Sequence, residues 1–179
     1  MTTTDDAGRF LELDRGRSAV RFERVYARPV AAVWAAVTDP TELAQWFPAP
    51  KVTLDLVPDA EITFGGDPSA PDLVTTGRIL VAERPRRLHF TWGADELHFD
   101  LAPLPGGGTR FALTDVLDVR AAAARNAAGW ELCLAALTAH LGGGEHAGPH
   151  AGPSAAWEDR YAAYLTAGFP SGAPIPGRD

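Results

Sequence analysis

Two neighbouring stretches, RRLHFTWG at 86–93 and ELHFDLAP at 96–103, constrain this chain more than any other feature. In the first, Leu88, Phe90 and Trp92 alternate with Arg87, His89 and Thr91; in the second, Leu97, Phe99 and Leu101 alternate with Glu96, His98 and Asp100. Side chains of a strand point to opposite faces with a period of two, so each stretch makes one oily face and one wet face. Two such strands in succession, joined by a short turn, predict an antiparallel meander whose apolar face has to be covered. The same reading extends along the chain. AVRFERVY at 19–26 opens the sheet, and KVTLDLVP, AEITFGG, DLVTTGRILVAERP and TRFALTDV add short strands punctuated by Gly, Pro and Asp, for a sheet of about six to seven strands.

The cover is AAAARNAAGWELCLAALTAHL at 121–141, the longest helical pattern in the chain, with Ala123, Ala127, Trp130, Cys133, Leu134, Leu137 and Leu141 on one stripe and three glycines at its end. Gly129 inside it costs about 1 kcal/mol relative to alanine, which points either to close packing against another backbone or to a tolerated defect. Two short helices follow the first strand. Pro29 suits a helix start and Val30, Val33, Trp34 and Val37 recur at helical spacing; Asp39 then caps a second helix, with Pro40 at its first position and Glu42 placed to reach back to the Asp39 amide. On that second helix Leu43, Trp46 and Phe47 share a face, and Pro48 and Pro50 follow at once. A turn this apolar either plugs a core or lines the mouth of a cavity.

Composition narrows the function. With 46% hydrophobic and 22% charged residues in 179, the chain supports one domain with a sizeable core. The 23 acidic against 16 basic residues, a net charge of -7, disfavour nucleic acid and anionic membrane as partners. Without an apolar run of about 20 residues or a signal-peptide start, the expected location is cytoplasmic. Beyond 142 the sequence changes character. The expected organisation is an N-terminal segment at 1–17, partly flexible; the main domain at 18–142; a Gly/Pro/His linker at 143–155; an appended short helix at 156–169; and a disordered tail at 170–179. Trp157, Tyr161, Tyr164 and Leu165 form an aromatic stripe on the appended helix that has to dock, either on its own domain or on a second subunit; the first avoids the entropy of association.

Catalytic and metal motifs are thin. His140, His146 and His150 cluster, but intervening Gly and Pro leave them unorganised as ligands, so no metal site is expected. His89 and His98 fall on wet strand faces. No serine sits in a nucleophile elbow, Cys133 lies on the apolar stripe where a thiol acts as a small hydrophobe, and the glycine runs lack phosphate-loop spacing. Asp95, Glu96 and Asp100 are close in sequence without showing a cleft. No catalytic residue and no cofactor is assigned.

The ordered pieces ARPVAAVWAAVTDPTELAQWF, FGG at 64–66, GRILVAERPRRLHFTW, LAPLPGGGTRFALT and GWELCLAALTAHL together resemble the START-like, or helix-grip, SRPBCC superfamily, in its Hsp90-ATPase-activator-homologue (AHSA1-like) branch, over roughly 18–142. The resemblance implies an α+β helix-grip fold: a curved antiparallel sheet wrapped around a long C-terminal helix, often with a hydrophobic cavity between them. Many relatives carry a histidine near the end of the last strand where this chain has Asp115. With that fold, the aromatic inventory becomes a candidate cavity lining: Trp46, Phe47, Phe64, Phe90, Trp92, Phe99, Phe111, Trp130 and Leu134, with the Trp46-Phe47 turn near the entrance. The expected function is non-enzymatic binding of a small hydrophobic or aromatic molecule by a monomer or homodimer. The alternatives are a co-chaperone-like protein-interaction module, as the branch includes an Hsp90 co-chaperone domain, and a polyketide cyclase/aromatase-like enzyme.

Overall fold

The alternating stretches pair as their pattern requires. The computed structural model describes residues 6–67, 71–145 and 154–176. Its strands are β1 (Arg9–Glu12), β2 (Ser18–Tyr26), β3 (Lys51–Leu54), β4 (Glu61–Gly65), β5 (Thr75–Glu83), β6 (Arg87–Trp92), β7 (Asp95–Pro103) and β8 (Thr109–Leu117). They form one antiparallel sheet in the order β1-β2-β8-β7-β6-β5-β4-β3. The helices are α1 (Val30–Thr38), α2 (Pro40–Trp46), α3 (Ala123–Leu141) and α4 (Ala155–Thr166). β6 and β7 pair Leu88 with Phe99 and Phe90 with Leu97, so the oily positions of both strands share the inner face, where α3 and the α1–α2 pair cover them. β2 returns beside β8, which brings the start of the domain next to the strand that feeds α3.

One strand more than expected is present. β1 is only RFLE, too short for alternation to be legible, and it belongs to the segment expected to be partly flexible; it pairs with β2 from Arg9↔Arg21 to Glu12↔Ser18. In β5, Gly77 is forced by close approach: a Cβ there would lie 1.9 Å from the Thr91 carbonyl oxygen of β6.

The helix ends explain several departures from the sequence reading. The Asp39 carboxylate caps α2, accepting from the amides of Thr41 at 2.8 Å and Glu42 at 3.4 Å. Glu42 does not close the capping box; its Oε2 lies 2.6 Å from His140 Nε2 on the last turn of α3, tying the two helices. The C-terminal Leu141 carbonyl of α3 accepts from Arg28 Nε at 2.8 Å. At the other end, α3 has no side-chain cap, and the Ala124 amide donates instead to the Pro170 carbonyl at 3.0 Å. The Ala173 amide adds a bond to the Ala121 carbonyl, and Arg125 Nη1 donates to the Pro174 carbonyl. The expectation of a disordered tail from 170 therefore fails for this stretch, because the orphan donors of a helix start need partners and the tail supplies one.

α4 lies on α3 of the same chain. Ser154 Oγ accepts from the Trp157 amide at its start. Tyr164 is buried; its hydroxyl donates to Glu131 Oε2 at 2.6 Å and accepts from the Gly8 amide at 2.7 Å. Leu165 does not join the expected stripe, since it stays 42% exposed, and Phe169 takes the place against Tyr164 and Phe10 at ring distances of 4.7 and 6.0 Å. A Cβ on Gly129 would meet Trp157 Nε1 at 4.0 Å, ordinary contact, so that glycine is a tolerated defect rather than a backbone crossing.

Candidate functional site

The sheet and α3 enclose an aromatic cluster with Phe47 at its middle. The Phe47 ring lies 5.8 Å from Trp46, 5.7 Å from Phe64, 6.3 Å from Phe90, 5.3 Å from Trp92 and 5.7 Å from Trp130. It therefore bridges α2, the sheet and α3. Phe99 joins through Trp46 and Phe90, whereas Phe111 sits farther along the sheet, against Phe99 and Tyr26. Leu134, on α3 itself, is fully buried.

This interior is filled by its own side chains: between Phe47 and its neighbours Val37, Leu43, Val52, Ile62 and Phe90 the gaps are too narrow to admit a water molecule. Trp46 is not at an entrance: it is fully buried, and its Nε1 donates to the Ala36 carbonyl of α1 at 2.9 Å. Burial of an indole is tolerated when its N–H finds such a partner. Phe47 lacks any polar tether in its side chain and follows the last turn of α2, where its amide bonds to the Leu43 carbonyl at 2.8 Å. Of the two aromatics in the turn, only Trp46 is held by a side-chain hydrogen bond.

A second feature was not assigned from sequence. Asp115 of β8 is 1% exposed and lies on the inner face between Val20 of β2 and Leu97 of β7. Its Oδ2 accepts from Trp130 Nε1 at 2.9 Å and Asn126 Nδ2 at 3.0 Å, donors one turn apart on α3. Asn126 Nδ2 also reaches Asp95 Oδ2 at 3.1 Å, so one amide links two carboxylates. Asp115 Oδ1 is buried with no hydrogen-bond partner among the described residues. An unpaired buried acceptor costs about 1–3 kcal/mol. Burial, reinforced by the Asp95 charge, pushes the Asp115 carboxyl up from 3.8 to about 7, and burial also raises Asp95. The signal was present: Phe111, Leu113, Asp115 and Leu117 are alternate residues of one strand, which sends Asp115 inward with the apolar three.

The histidines stay outside. His89 and His98 face each other across β6 and β7 on the outer surface, rings stacked 4.1 Å apart, with Nε2 atoms 2.9 Å from Asp100 and 3.2 Å from Glu96. Burial and the His89 charge lower the His98 pKa. His146 and His150 lie outside the described residues, His140 pairs with Glu42, and among the described residues no group of three or more His, Cys, Asp or Glu side chains is arranged to hold a metal. Cys133 is buried, and burial pushes its thiol up, away from nucleophilic use. No described helix is long and apolar enough to cross a membrane.

A curved antiparallel sheet gripping a long helix, with two short helices after the first long strand, defines the helix-grip class. Residues 27–142 match the family described as Activator of Hsp90 ATPase homolog 1-like protein, and the chain belongs to that family. The fold is similar to that of CalU16 from Micromonospora echinospora, with 24% identity over 92% of this chain and 98% of that one at a TM-score of 0.69. A conserved protein of unknown function from Enterococcus faecalis, EF2215, gives 21% identity, 89% and 91% coverage and a TM-score of 0.68. DynU16, a protein of the dynemicin biosynthetic locus, gives 24% identity over 69% of this chain and 47% of its own, at 0.60. No curated protein sequence matches the chain.

Proposed function

We propose that the protein binds a small aromatic molecule between the sheet and α3, in the space that Phe47 fills when no ligand is present. The observation that carries this reading is the position of Phe47: one untethered ring, on the turn between α2 and β3, bridges every wall of the aromatic interior. A ligand that takes its place keeps the ring contacts and needs only the short turn to move. Phe64, Phe90, Trp92 and Trp130 supply the apolar lining, with Trp46, Phe99, Phe111 and Leu134 as the packed layer behind it. Such sites are mostly apolar with few polar groups, and binding them requires no catalytic residue.

Displacing Phe47 costs free energy that the ligand has to repay, so apparent affinity is reduced by the fraction of molecules with the turn open. Removing the ring removes that cost. Titration of the wild type and Phe47→Ala with 2-naphthol, followed by tryptophan fluorescence, therefore gives binding to both, at least about ten-fold tighter in the variant. Phe47→Leu serves as the milder variant, because Phe→Ala in a core costs about 3–5 kcal/mol of stability. Absence of binding to the wild type and to both variants overturns the reading.

A further inference from the structure

Asp115 gives this interior a chemical preference. We infer that the site selects aromatic ligands carrying a hydrogen-bond donor, a protonated amine first and a hydroxyl second, with Asp115 Oδ1 as the acceptor; this rests on the interior binding reading above. Three observations converge. Asp115 Oδ1 is buried and unpartnered, while the other carboxylate oxygen is already held by Trp130 and Asn126. That fixed half leaves Oδ1, the oxygen that carries the proton of the neutral acid, as a preorganised, directional acceptor once that proton is lost, in a low-dielectric setting where a charged hydrogen bond is strong. Trp130, which holds Oδ2, also lies 5.7 Å from Phe47 and 5.6 Å from Trp92, so a single indole joins Asp115 to the aromatic cluster around Phe47.

The charge environment favours a cation. Asp95 lies on the same inner face at the start of β7 and shares the Asn126 amide with Asp115; Arg125, which donates to Asn126 Oδ1 and the Pro174 carbonyl, offsets only part of the rise that burial imposes on both carboxyls. An ammonium group against Asp115 stabilises the ionised carboxyl that burial and the Asp95 charge disfavour. A carboxylate ligand would bring another negative charge beside Asp95 with no cation to pair it, and is disfavoured by the same argument. Burial keeps Asp115 protonated up to about pH 7, so an ammonium that binds near neutrality drives that proton into solvent.

The test uses the full chain and four probes with one ring system: 2-naphthylmethylamine, 2-naphthol, naphthalene and 2-naphthoate. In the wild type the amine binds at least about ten-fold tighter than naphthalene, and naphthoate binds weakest. Asp115→Asn, which keeps the shape and removes the charge, loses that ten-fold preference while its naphthalene affinity stays within about two-fold. Calorimetry of the amine on the wild type alone, at pH 7 in phosphate and in Tris, gives different apparent enthalpies because a proton is released. If naphthalene binds but the amine shows no preference, or no difference between wild type and Asp115→Asn, the inference fails and the interior site stands. If no probe binds to the wild type or to Phe47→Ala, both fall together.

Discussion

Asp115→Asn also perturbs stability in a way that depends on pH, with a magnitude that follows from the structure. The folded Asp115 carboxyl holds its proton up to about pH 7, against 3.8 for the ordinary side chain. Between those values the native state binds more protons than the unfolded chain, so the contribution of this group is fully present below 3.8 and is lost as pH rises to about 7. At about 1.4 kcal/mol per pH unit the whole loss is about 4 kcal/mol, of which about 3 kcal/mol falls between pH 4.5 and 8. Asparagine cannot titrate, and it resembles the neutral acid in shape and in the acceptor it offers Trp130 and Asn126. Urea unfolding of the two proteins at pH 4.5, 6 and 8 isolates the effect, because other titrating groups are common to both. The stability of Asp115→Asn relative to wild type should rise by about 3 kcal/mol from pH 4.5 to 8, or about 6–12 °C in Tm for a chain of this length. Two stability curves that run parallel across this range would refute the argument that the buried carboxyl is held neutral.

Other expectations follow from packing. Gly77→Ala places a Cβ 1.9 Å from the Thr91 carbonyl oxygen and should cost about 3 kcal/mol or more, read as a lowered urea midpoint; an unchanged midpoint contradicts the close approach. Gly129→Ala meets only ordinary contact with Trp157 and should stabilise by about 0.5–1 kcal/mol, whereas destabilisation would mean that α4 sits closer than described. Truncation after Gly144 removes the Tyr164 hydrogen bonds to Glu131 and Gly8 and the Pro170 acceptor for α3, and should lower stability by at least about 3 kcal/mol; equal Tm and solubility would make α4 dispensable.

The fold was legible where one physical signal dominated. Period-two alternation in 86–103 fixes which residues face α3, and Asp39-Pro40 fixes the break between α1 and α2. β1 escaped because four residues carry almost no periodicity, and its pairing with β2 is a tertiary event. The ordered tail escaped because its partners are backbone groups at the start of α3, which composition cannot reveal. Asp115 is a different kind of miss. Strand alternation placed it inward, but a lone aspartate in an apolar strand gains meaning only from the donors that Trp130 and Asn126 bring from a helix eleven to fifteen residues later. Whether Trp46 and Phe47 plug or line was undecidable from sequence, since neighbours on one helix turn have different fates: Trp46 is pinned by the Ala36 carbonyl and Phe47 is not.

Five tryptophans provide reporters for ligand entry between the sheet and α3. Trp92 and Trp130 line the proposed site, Trp46 borders it, Trp34 belongs to α1, and Trp157 lies on α4 beside Gly129 of α3. The direct measurement is the indole N–H region of a proton–nitrogen NMR spectrum during titration with 2-naphthylmethylamine. Ligand entry there gives saturable shifts of the Trp130 and Trp92 signals, a smaller one at Trp46, and none at Trp157; shifts confined to Trp157, or none at all at saturating probe, would rule out binding between the sheet and α3.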